Sequence, residues 1–192
     1  MNYNYPKFVP NYGNLTTKIM KEYLLTYYSE DILENKNITS LIASNNKTEP
    51  LYFWQLYSIL GEDNIEKLIR FFYTNIFEDK KNKWFSDEFI EVGSIEYHVK
   101  GQKKFWLDIM GGGEYYTGGE KKLNIHHKLF KNIMTTKGAN IWMYHMNNAL
   151  NKMDFSNDKR IRKCIDVFLN HFMIKYAVEF DFNFYNLFKA KL

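Results

Sequence analysis

Cysteine is nearly missing from this chain of 192 residues: Cys164 stands alone. One thiol excludes an intramolecular disulfide and suits an intracellular compartment, cytoplasm or mitochondrion. Long apolar runs are missing too. None approaches the roughly 20 residues that span a bilayer, so no transmembrane segment is expected. The opening MNYNYPKFVPNYGN has neither the basic start and apolar stretch of a secretory signal nor the arginine-rich, acid-poor character of a mitochondrial presequence. Arginine is scarce throughout. The net charge of +4 comes almost wholly from scattered lysines, so nucleic acid is not an expected partner.

Familiar catalytic signatures are also lacking. No G-x-x-x-x-G-K-[ST] and no H-E-x-x-H occurs, and a single cysteine gives a zinc site little support. Nothing marks a nucleophile beside a base, so no catalytic triad is expected.

What the chain does hold is 45% hydrophobic and 18% aromatic residues, ample for a packed core. Its length suits one domain plus an extension. Residues 1–49 read as an N-terminal extension, with Ile19, Met20, Tyr23, Leu24, Tyr27 and Tyr28 at helical spacing. That face is either an interaction surface or a strip folded back on the domain. Thr48 and Pro50 suit a helix start, which sets the domain boundary at 49/50.

From Leu51 onward, successive helices are expected. Ile65, Leu68, Ile69, Phe72, Tyr73 and Ile76 form one apolar stripe. EDKKNKWFSDEF reads as a polar turn carrying Trp84 and Phe85. Further helices are expected over about 94–110, 137–151 and 158–180. The C-terminal VEFDFNFYNLF alternates like a strand, and residues 181–192 read as an aromatic tail. The fold class is all-α.

Half of the ten glycines fall in GGGEYYTGGE, between Gly111 and Glu120. Glycine reaches conformations closed to other residues, so the cluster marks a sharp bend or a chain wrapped closely around something. On either side lie residues that call for joint explanation. His98 and Gln102, four apart, share a helix face. Tyr73 sits on the apolar stripe, its hydroxyl needing a partner if buried. Trp142 shares a face with Met146, Ala149 and Leu150. LNIHHKLF holds the adjacent pair His126 and His127. Taken singly, each has a bland explanation: a solvated stripe, ordinary core, surface histidines.

Together these residues resemble the truncated haemoglobins, closest to their second group, over roughly 50–180. RFFYTNIFED resembles the family's F-Y-x-x-(V/I)-x-x-D, and Phe85 falls on its haem-packing aromatic. GGGEYYTGG resembles Gly-Gly-Pro-x-x-Tyr-(Thr/Ser)-Gly, LNIHHKLF resembles L-x-x-x-H-x-P-F, and WMYHMNNAL resembles W-L-x-x-M-x-x-A-L. The family's two prolines are replaced here by Gly113 and Leu129.

The resemblance implies a two-over-two helical sandwich that holds haem. It makes His127 the proximal iron ligand, with His126 the neighbouring alternative. It makes Tyr73, Gln102 and Trp142 distal hydrogen-bond donors to dioxygen or nitric oxide. His98 would join them, gate access or bind the iron. Phe85, Phe105 and Trp106 would wall the porphyrin or belong to the core. Nitric oxide dioxygenase or peroxidase chemistry would need an external reductant. The alternatives are a sensor, or an accessory subunit of a larger complex, such as a mitochondrial one, held through residues 1–49 and the tail.

Overall fold

The computed structural model describes residues 8–117 and 131–184. Among the described residues are seven α-helices and no named strand: α1 Thr16–Tyr27, α2 Lys36–Thr39, α3 Tyr57–Phe77, α4 Lys83–Val92, α5 Ile95–Ile109, α6 Thr136–Asn151 and α7 Lys159–Glu179. The fold is all-α, as the sequence implies. No helix among the described residues is long and apolar enough to cross a membrane.

Local chemistry sets the helix ends. Ser94 opens α5 by accepting from Tyr97 N, Thr135 opens α6 through Gly138 N, and Asp158 opens α7 through Arg160 N. α3 bends at Gly61, where φ is +67°. A Cβ there would lie 2.3 Å from the Phe8 ring, so the bend and the wedge of Phe8 both require glycine. α5 stops at the glycine cluster, with Gly111 at φ +88° and Gly113 at φ +118°.

The apolar stripe of α3 is buried throughout, and α3 packs against α4, α5 and α6, with α7 on α6. Phe53 stacks on Phe168 at a centroid separation of 3.5 Å, tying the approach to α3 to the last helix. A second, smaller core joins Met20, Leu24, Leu41 and Trp54.

Several local expectations are corrected. No helix starts at Thr48 or Pro50; a short 3₁₀ turn over Phe53–Gln55 precedes α3. The supposed polar turn at 78–89 is largely α4, because Phe85 and Phe89 bury one face while lysines and acids line the other. The strand-like start of the tail is helical: Val178 and Glu179 belong to α7, and residues 181–184 form no strand. Residues beyond 184 lie outside the described part.

The N-terminal face folds inward. Ile19, Met20 and Leu24 are buried within the chain itself, while Tyr27 and Tyr28 remain about half exposed. The residue before α1, Leu15, makes no side-chain cap bond; instead Asp108 of α5 accepts from Asn14 N and Leu15 N just ahead of the helix, discussed below.

Candidate functional site

Helices α3 to α7 enclose a cavity of about 140 Å³. α3 contributes Tyr73, α4 contributes Phe85, and α5 contributes Gln102, Phe105 and Trp106. α6 contributes Trp142, and α7 contributes Phe168, Phe172, Met173 and Tyr176. Six residues singled out in the sequence therefore meet around one space.

Most of the wall is aromatic or aliphatic, and the polar atoms on it are informative. Tyr73 is 3% exposed. Burial pushes its phenol well up, so it keeps its proton and remains a donor at neutral pH. Trp142 carries an indole N–H, which can only donate, and Gln102 a side-chain amide. Among the described residues, none of these three side chains makes a hydrogen bond. Tyr73 is buried and Gln102 and Trp142 are half-buried, so three donors without a partner among the described residues face one apolar space. The two aromatic donors are well held: Phe72 packs on Tyr73 and on Trp142, with centroids 5.1 and 4.9 Å away.

His98 is placed differently. It shares the Gln102 face of α5 but does not line the cavity. Its Nε2 bonds the Phe89 carbonyl oxygen at 2.8 Å. Its ring stacks against Tyr73 at 4.9 Å with planes 19° apart. Burial lowers its pKa, partly offset by the Phe89 bond, so it is held neutral. In this arrangement His98 supports Tyr73 from behind. His126 and His127 lie outside the described residues, so the expected axial ligand is not part of this geometry.

Phe85 is fixed by a polar pair at its back. His145 Nε2 donates to Asp79 Oδ2 at 2.9 Å, and the His145 ring stacks on Phe85 at 6.2 Å. Asp79 also accepts from Lys81 N, Asn82 N and Asn82 Nδ2. Burial alone would raise its carboxyl, but these bonds and the imidazole outweigh that and hold it below the usual range. Burial lowers His145 despite Asp79.

The chemistry of this wall fits haem. Flat aromatic and aliphatic surfaces suit a porphyrin, and unmatched donors suit a small polar ligand held beside it. The volume suits something smaller. A dry apolar cavity of this size takes a benzene-sized guest, so seating a porphyrin requires wall side chains to move apart. Among the described residues, no cluster of three or more His, Cys, Asp or Glu is placed to hold a metal ion.

The sequence reading missed the part played by α7 and by Tyr116, which also lines the cavity. A signal was present for the first: Phe168, Phe172 and Tyr176 recur every four residues and so form one helical stripe.

A family profile described as bacterial-like globin matches residues 55–174. Of the lining residues named, all but Tyr176 fall within that span. A curated relative, two-on-two hemoglobin-3 of Arabidopsis thaliana, is 30% identical over 110 residues, covering 56% of this chain and 61% of that protein. The chain thus matches less than two thirds of that relative's length.

Proposed function

Since the chain belongs to the bacterial-like globin family, we propose that it binds one haem and, through it, dioxygen or nitric oxide. The observation that supports this most is the trio Tyr73, Gln102 and Trp142, three donors with no hydrogen bond among the described residues around an apolar cavity.

When bound, haem would supply an iron able to take a diatomic ligand, and an imidazole of the chain would hold it. His127 is proposed as that imidazole, at the family's offsets from Leu123 and Phe130. Phe85, Phe105 and Trp106 give the porphyrin apolar walls and exclude water. Tyr73, Gln102 and Trp142 donate hydrogen bonds to a ligand whose outer atoms carry negative charge. Carbon monoxide, nearly uncharged, gains little from them. His98 and Phe72 hold the Tyr73 ring in place, so its hydroxyl need not reorganise when a ligand arrives.

An absorption spectrum of the purified native protein tests this reading. An intense haem band is expected, lost in His127→Ala or restored there by added imidazole. Loss in His126→Ala instead, with His127→Ala unaffected, would shift the axial ligand by one residue. Native protein without haem that also fails to take it up would sink the proposal.

A further inference from the structure

Residues 11–16 precede the region that the family profile matches, yet they are bonded to the turn that leads into the cavity wall. Asn11 N donates to Gly111 O at 2.9 Å. Asn14 N and Leu15 N donate to the two oxygens of Asp108, each at 2.9 Å. Thr16 Oγ1 donates to the Asp108 carbonyl oxygen at 2.6 Å. Asn14 Nδ2 donates to Tyr116 O at 3.2 Å. Asp108 and Thr16 are fully buried. Gly13 is pressed so close that a Cβ there would lie 2.2 Å from Asp108 Oδ1 and 2.6 Å from Gly113 O.

The turn itself supplies little stiffness. Gly111 and Gly113 take positive φ, and consecutive glycines lose more backbone freedom on ordering than any other residues. Proline, which stiffens such a turn elsewhere, cannot occupy position 113, because its ring holds φ near about −65° and Gly113 stands at +118°. Order here must come from contacts outside the turn. Three residues past Gly113, Tyr116 turns its ring into the cavity wall, 6% exposed and edge-on to Phe105 at 5.5 Å.

We propose that Asn11–Thr16 is a positioning element of the cavity: clamped on Asp108, it fixes the glycine turn and, through Asn14, the placement of Tyr116. The site is incomplete without residues that precede the globin-matched region. Asn14 and Asp108 are positioning residues, since neither lines the cavity. The proposal rests on the reading of that cavity as the ligand site.

The test uses the full chain with Asn14→Leu, which removes the donor to Tyr116 but leaves the backbone bonds to Asp108, and Asn14→Gln, which retains an amide. Amide hydrogen exchange over 111–117 is measured in haem-free protein and compared with α3 and α6. Losing one such bond should speed exchange over 111–117 about three- to tenfold, with the other helices unchanged. Asn14→Gln should recover part of that protection. In haem-loaded protein, Asn14→Leu should speed haem transfer to an acceptor protein several-fold. Unchanged exchange over 111–117, or an equal rise everywhere, would overturn the positioning role. If wild-type protein takes up no haem, the haem reading fails, while the exchange comparison still decides whether Asn14 positions Tyr116.

Discussion

Two sets of polar groups, one at Asp108 and one around the cavity, are treated in opposite ways. Around Asp108 both carboxylate oxygens are met by backbone amides, and its carbonyl is met by a threonine hydroxyl. Around the cavity, Tyr73, Gln102 and Trp142 have no hydrogen bond among the described residues. A matched group stabilises the fold that matches it, while an unmatched one adds little or nothing to stability and is left available for something else.

The strongest way to break this contrast is Asp108→Ala. It strands two amides at the start of α1, and the loss of unfolding free energy should be about 3 kcal/mol or more by urea denaturation. A loss under about 1 kcal/mol would show that the clasp is not the structural pole supposed here. Next comes Tyr73→Phe, with little effect on stability, within about 0.5 kcal/mol. Its effect should fall on ligand release instead: dioxygen should leave about one to two orders of magnitude faster, with carbon monoxide nearly unchanged. Equal acceleration of both gases would mean that the tyrosine acts by packing. Gln102→Leu should behave alike, and the double variant shows whether the donors compensate for one another.

Gly113→Pro sharpens the same contrast at the turn. It restores the residue of the family pattern, yet should cost roughly 1–3 kcal/mol, because the native φ lies outside proline's range. A stabilised variant would show that the turn has another accessible form. The mildest effect is expected from pH. His98, His145 and His171 all have pKa values lowered chiefly by burial. The unfolded chain, titrating near about 6.5, binds protons first as pH falls. Stability should therefore decline below about pH 6.5 and be retained above it, well before the carboxylates titrate. The urea midpoint measured between pH 7.5 and 5 checks this, and His171→Phe should flatten the decline.

The elements legible in sequence are those whose signals are local. α5, α6 and α7 begin at or beside Ser94, Thr135 and Asp158, where side-chain caps sit next to periodic apolar faces. Tyr73, Gln102 and Trp142 line one cavity; in the sequence only the family resemblance joined them. The errors arose where a decisive partner lies far away in sequence. Whether the α1 face was an interaction surface or a strip folded back stayed open in sequence, because the carboxylate that meets Asn14 N and Leu15 N, Asp108, belongs to another helix. Trp84 and Phe85 looked like a turn because lysines and acids surround them, although Phe85 is itself fully buried on the inner face of α4. His98 shares its face with Gln102, yet the carbonyl of Phe89 holds it behind Tyr73. No periodicity could reveal that.

The clasp also bears on the order of events during synthesis. Asn14 and Asp108 stand 94 positions apart, so α1 emerges from the ribosome long before the carboxylate that clasps its start exists. At roughly 5–20 residues per second, that interval is about 5–20 s. A helix of 12 residues is marginal alone in water, so α1 gains its clasp only once α5 has been made. The nascent chain must therefore keep Ile19, Met20 and Leu24 from wrong partners until α5 is complete.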